Sequence, residues 1–159
     1  MTPRIELIPS RFKDVFGAMF GLGNVVNKST LEPSLILLVE MRASIINGCG
    51  YCIDMHTKDA RLAGETEQRI YLLNAWHESP GYSSRERAAL AWTDAVTRLT
   101  DPAVTDELYA EVRQQFSEEE LMKLTLAVVM INGWNRFCIA FAAVPGTYEA
   151  GSLHKLQQA

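Results

Sequence analysis

Apolar residues recur at three- and four-residue intervals along most of this chain, and nowhere do they alternate with polar ones between hairpin turns. Phe12, Val15, Phe16, Met19 and Phe20 predict a first helix, capped by Ser10 and leaving at Asn27-Lys28-Ser29-Thr30. Leu31-Glu32-Pro33-Ser34 opens a second, with Pro33 in the first turn, where a missing N–H costs nothing. Residues 35–46 are apolar nearly all round except for Glu40, Arg42 and Ser44, which predicts a buried helix whose charges need partners. Asn47-Gly48 breaks the pattern, and a third helix follows over about 49–62, closed by Gly64.

Residues 65–75 give a fourth helix with Ile70, Leu72 and Leu73 on its core side. After a loop at Ser79-Pro80-Gly81-Tyr82, Ser83-Ser84-Arg85-Glu86 starts a helix through about Leu99, with Leu90, Trp92, Val96 and Leu99 inward. Thr105-Asp106 caps a short helix over 107–116. Ser117 and Glu120 form a capping box before a long apolar helix over about 118–141. The tail from Val144 lacks periodicity and is expected to fray or to clasp a neighbour. The expectation is an all-α protein of about seven helices, one domain over 1–159, with no internal repeat or low-complexity segment. Two stretches, 35–46 and 121–131, look too apolar for a small monomer to cover, which predicts a homo-oligomer.

Composition narrows the function classes. The 159 residues are 48% apolar and 21% charged, ordinary for a globular protein with a real core. A net charge of −4 argues against a nucleic acid or an anionic membrane as partner, since either needs a basic patch. No apolar run approaches the roughly 20 residues of a spanning helix. The opening Met1-Thr2-Pro3-Arg4-Ile5-Glu6 has no apolar signal core, so the expected location is the cytoplasm. Three cysteines are too few for a disulfide scaffold, and in a reducing compartment a CxxC pair points to redox chemistry or metal binding.

The chemistry concentrates in Ile46-Asn47-Gly48-Cys49-Gly50-Tyr51-Cys52-Ile53-Asp54-Met55-His56. On a helix, Cys49, Cys52 and His56 share one face. The positive end of the helix and a neighbouring imidazolium both favour thiolate. Cys52 can then attack a peroxide oxygen to give sulfenic acid, which condenses with Cys49 one turn away, His56 handling the proton. Such a dithiol needs no bound cofactor and no metal; it needs a hydroperoxide and an external dithiol carrier. Two other readings stand beside it. A zinc site would find three ligands here where structural zinc takes four, and His77 and His154, read as surface residues, lie in segments without ligand spacing. Buried, inert cysteines are the other. Tyr51 reads as packing, and Asp54 as a first-turn acid meeting the helix dipole. Cys138, beside Ile139, reads as a small core hydrophobe. Trp134, Asn135 and Arg136 fit a pocket, an interface or a core edge equally well.

The run from Ser44 to Thr57 resembles the core of the carboxymuconolactone decarboxylase / AhpD-like alkylhydroperoxidase superfamily. The likeness is specific over 33–62 and extends more weakly through Glu67-Gln68-Arg69-Ile70-Tyr71, Ala89-Leu90-Ala91-Trp92-Thr93 and Ile131-Asn132-Gly133-Trp134-Asn135-Arg136. It implies an all-helical fold in trimers or hexamers, Cys52 as the peroxide-attacking cysteine, Cys49 as its partner and proton donor, and His56 in the proton relay. AhpD-like proteins usually carry a glutamate twelve residues before the first cysteine; here that position is Leu37. Glu40 lies about one turn further on and either reaches the same pocket or pairs with Arg42 or Arg61. The decarboxylase branch typically lacks the cysteine pair, so the dithiol argues against it. A redox-sensing or assembly role without turnover is the remaining alternative.

Overall fold

A computed structural model describes residues 2–101 and 104–152 of the chain. Among these residues there are seven α-helices and one 3-10 turn, and no strand. The helices are α1 (Lys13–Asn27), α2 (Pro33–Asn47), α3 (Gly50–Leu62), α4 (Glu67–Leu72), α5 (Ser84–Arg98), α6 (Asp106–Arg113) and α7 (Glu118–Ala140). The 3-10 turn, Leu73–Ala75, follows α4 directly. His154 lies outside the described residues.

Helix α2 is the centre of the packing. It lies against α3, α5 and α7, and α1 packs on α7. One apolar cluster joins α2 to α5, α6 and α7 through Leu35, Val39, Ala89, Val112, Leu124 and Val128. A second joins α2 to α3, α5 and the 3-10 turn through Leu38, Met41, Ala60, Leu73 and Leu90. Nine residues of α2 are buried inside the chain itself, Glu40 and Arg42 among them. Its apolar character is therefore covered without a second copy. α7 differs, leaving Met122, Val129 and Ile139 exposed.

Local signals explain most helix ends. Pro33 is in the first turn of α2. Thr105 accepts from the Leu108 N–H at the start of α6. Capping boxes open α5 and α7: the Glu86 N–H donates to Ser83 Oγ and the Glu120 N–H to Ser117 Oγ, while each glutamate accepts from its serine's N–H. Gly48 closes α2 at φ 68°, where a residue with a Cβ is strained.

Four expectations need correction. Ser10 is not the cap of α1: a turn with the Arg11 and Phe12 N–H groups on the Ile8 carbonyl occupies that stretch, and the helix starts at Lys13 with Phe12 before it. Leu72 is exposed rather than inward, because the helix tightens to 3-10 at Leu73 and only Leu73 is fully buried. Leu99 is 69% exposed at φ 47°, in a left-handed turn after α5 ends. Asp54 lies beyond the first turn of α3, and its partners are side-chain and backbone donors rather than the helix dipole.

The tail clasps α3. Asp54 accepts from the Gly146 N–H and Lys58 Nζ, and Asp59 accepts from the Tyr148 hydroxyl and the Gly151 N–H. At the other end of the chain, the Arg4 N–H donates to the Phe141 carbonyl and its guanidinium to the Ala140 carbonyl. Arg4 and residues 146–151 are thus tied to the helices that carry the cysteines. No helix among the described residues is long and apolar enough to cross a membrane.

Candidate active site

The Gly48 turn sends the chain from the end of α2 straight into α3. The Cys49 N–H bonds to the Ser44 carbonyl, and Cys49 becomes the N-cap of α3. A cysteine there replaces the usual oxygen cap, and its Sγ accepts the Cys52 N–H at 3.3 Å. The same geometry brings the two sulfurs together: Cys49 and Cys52 form a disulfide, with Cα atoms 5.4 Å apart. Both residues are 1% exposed. The turn is held from the α7 side as well, because Asn47 Nδ2 donates to the side-chain oxygens of Asn132 and Asn135, and Asn135 donates to Ser44 Oγ. Asn135, ambiguous in sequence, is therefore a buried strut. Trp134 lines a pocket, and Arg136 is exposed.

His56 follows Cys52 by one turn on the same face of α3 and is buried. Its Nδ1 is 3.2 Å from Glu40 Oε2. Arg42 and Arg61, the rival partners for Glu40, are engaged elsewhere: Arg42 with Asp94 at 2.6 Å, Arg61 with Glu67 at 3.4 Å. A carboxylate on Nδ1 orients the ring and turns Nε2 away from Glu40. Among the described residues that buried Nε2 has no hydrogen-bond partner. Of the alternatives for Glu40, the structure shows the contact with His56; Leu37, about one turn away, lines the same pocket.

Cys52, His56 and Glu40 open onto one cavity of about 1100 Å³. Its walls come from the N-terminal segment, α1, α2, α3, α7 and the tail, and they are mostly apolar, with Phe16, Phe20, Ile36, Met55 and Trp134 in contact with the space. A buried cysteine pair and a buried histidine in an apolar recess are suited to a reaction that must exclude water from a reactive sulfur.

Cys138 belongs to this site, which its sequence context does not suggest. It is buried, as expected of a core hydrophobe, but its sulfur lies with those of Cys49 and Cys52, all three within 4.8 Å of one another. Burial pushes its thiol up to about 11. Tyr51 packs on this sulfur cluster, and its phenol is raised by burial first and by Cys138 and Asp54 beside it. In the disulfide state Cys49 and Cys52 have no thiolate to offer a metal. His77, read as a surface residue, is exposed and stacks on Trp76.

The sequence model of the "Carboxymuconolactone decarboxylase family" matches residues 13–95, from α1 to the last turns of α5. The uncharacterised protein YdfG of Bacillus subtilis (strain 168) is 48% identical over 135 residues, which are 85% of this chain and 89% of YdfG. A crystal structure from Agrobacterium tumefaciens, of a protein of unknown function proposed to be the antioxidant defence protein AhpD, superposes with a TM-score of 0.86 at 41% identity. It covers 92% of this chain and all of its own. The debrominase Bmp8 shares the fold at a TM-score of 0.76 and 23% identity, over 87% of this chain and 74% of its own.

Proposed function

The chain belongs to the carboxymuconolactone decarboxylase family, with the AhpD-like all-helical fold, and from that footing we propose that it is a thiol-dependent hydroperoxide reductase. The observation that carries this reading is the Cys49–Cys52 disulfide beside a buried histidine whose far nitrogen is held free by Glu40. The disulfide is the product state of such a reaction. In the reduced enzyme, the Cys52 thiolate attacks the distal oxygen of a hydroperoxide. The O–O bond breaks, Cys52 becomes sulfenic acid, and the departing alkoxide takes a proton through Cys49 or His56. The Cys49 sulfur then attacks the sulfenic sulfur, water leaves, and the disulfide re-forms. An external dithiol restores both thiols. Cys52 is the residue that meets peroxide because it lines the cavity. The AhpD assignment of the A. tumefaciens relative supports the same antioxidant chemistry.

This reading also takes the working form to be a homo-oligomer. The apolar residues Met122, Val129 and Ile139 on the outside of α7 support that.

The test is peroxide consumption with a dithiol reductant, wild type against Cys52→Ser. Turnover is expected to fall to the uncatalysed background. Undiminished turnover in the variant overturns the assignment. A wild-type dithiol that oxidises once and does not cycle favours a sensing role instead.

A further inference from the structure

Three sulfurs meet at one point, and the two-cysteine reaction uses only two of them. We propose that Cys138 is a second resolving thiol for Cys52, able to capture the Cys52 sulfenic acid when Cys49 is not available. The inference rests on the assignment of Cys52 as the peroxide-attacking cysteine.

Geometry carries it. The Cys138 sulfur is within 4.8 Å of the Cys52 sulfur, and both residues line the same cavity. A change of side-chain rotamer moves a cysteine sulfur by about 3 Å, a displacement of the size needed to close such a separation to bonding distance. Cys138 is buried, so its reach is directed at the sulfur cluster and not at solvent. The reaction balances: the Cys138 sulfur bonds to the sulfenic sulfur of Cys52, the S–O bond breaks, and the hydroxyl leaves as water with the thiol proton.

The two resolving thiols are not equivalent, and their helices say why. Cys49 caps the N-terminus of α3, where the positive helix end favours thiolate. Cys138 lies in the last turn of α7, at a negative helix end, and burial holds it protonated. Cys49 therefore resolves first, and the observed bond is the Cys49–Cys52 one. Cys138 acts second, protecting Cys52 from further oxidation to sulfinic acid.

The experiment treats fully reduced full-length Cys49→Ser, and the double variant Cys49→Ser/Cys138→Ala, with excess cumene hydroperoxide, since sulfenic and then sulfinic acid each consume one peroxide, followed by peptide mapping by mass spectrometry. In Cys49→Ser a Cys52–Cys138 disulfide is expected. In the double variant Cys52 is expected to run on to sulfinic acid, on the order of ten-fold faster than in Cys49→Ser, since a thiol held beside the reacting sulfur has a large effective concentration. Equal sulfinic acid formation in the two overturns the proposal. Cys138→Ser repeats the comparison, so an alanine variant that fails to fold leaves the answer intact. If a sulfenic-acid probe finds no oxidised Cys52 in the double variant, the peroxidase reading has failed. Diamide oxidation of reduced Cys49→Ser then decides the pairing without peroxide: a Cys52–Cys138 bond upholds it, and two thiols that stay apart overturn it.

Discussion

Helix α2 carries two charged residues two positions apart, and they end in opposite situations. Arg42 points into the α5 side and is paired there with Asp94 and Asn74. Its Nε and Nη2 donate to the two oxygens of Asp94 at 2.6 and 2.7 Å, and its Nη1 donates to Asn74 Oδ1 at 3.1 Å. Asp94 also accepts from Arg98. Burial alone would raise the Asp94 carboxyl, but the bonds from Arg42 and Arg98 outweigh it and hold the group below the ordinary carboxylate range. Glu40 points the other way, to His56, and among the described residues the chain of contacts stops there, at a buried Nε2 without a hydrogen-bond partner. A closed ion-pair network is architecture. One left open at a cavity is a place where a proton can come and go. Trp76 Nε1 also has no partner among the described residues, but its ring is stacked on His77, and Trp76 does not line the cavity.

The comparison breaks most visibly at Arg42. Arg42→Met leaves Asp94 as a buried carboxylate short of its bidentate partner, which is expected to cost about 3–5 kcal/mol of folding stability. Urea denaturation measures it. Disulfide formation between Cys49 and Cys52 in the folded fraction is expected to be unchanged. A destabilisation below about 1 kcal/mol would mean that Arg98 alone satisfies Asp94, as a surface-type pair does.

Glu40→Gln is the mirror case. The amide keeps the volume and can still accept from His56 Nδ1–H, so stability is expected to change by about 1 kcal/mol or less. The negative charge that supports a developing imidazolium is lost, however, and peroxide turnover is expected to fall on the order of 10²-fold. Equal losses in both measurements would make Glu40 a second structural charge and erase the contrast with Arg42.

Much of this was legible in the sequence because it is local. The helix count, the Ser117 capping box, the Gly48 break and the Cys49–Cys52–His56 face all follow from spacings of a few residues. Glu40 sits at a helical offset from the motif, so its presence near His56 was open to argument, while its choice of His56 over Arg42 or Arg61 depended on where Asp94 and Glu67 fell. Cys138 lies 86 residues from Cys52 on another helix (138 less 52), and no spacing relates them. Only the crossing of α7 over the start of α3 does. Leu72 and Leu99 were misplaced for a different reason: each lies where a regular helix changes to a tighter or left-handed turn, which rotates the side chain off its predicted face.

The smallest expected effect is at the joint between α2 and the dithiol. Gly48 holds φ 68°, and a Cβ added there would meet nothing within 4 Å. The cost of Gly48→Ala is therefore backbone strain alone, about 1 kcal/mol. Gly21, inside α1 and equally unobstructed, reverses the sign, because alanine is the better helix former there by roughly 0.5–1 kcal/mol. Urea midpoints of the two variants should move in opposite directions. Turnover sharpens the result. The α2–α3 turn is fastened by Cys49 to Ser44 and by Asn47 to Asn132 and Asn135, so strain at Gly48 should be absorbed without displacing Cys49. A loss of turnover much larger than the loss of stability would show instead that the left-handed glycine itself sets the sulfur's position.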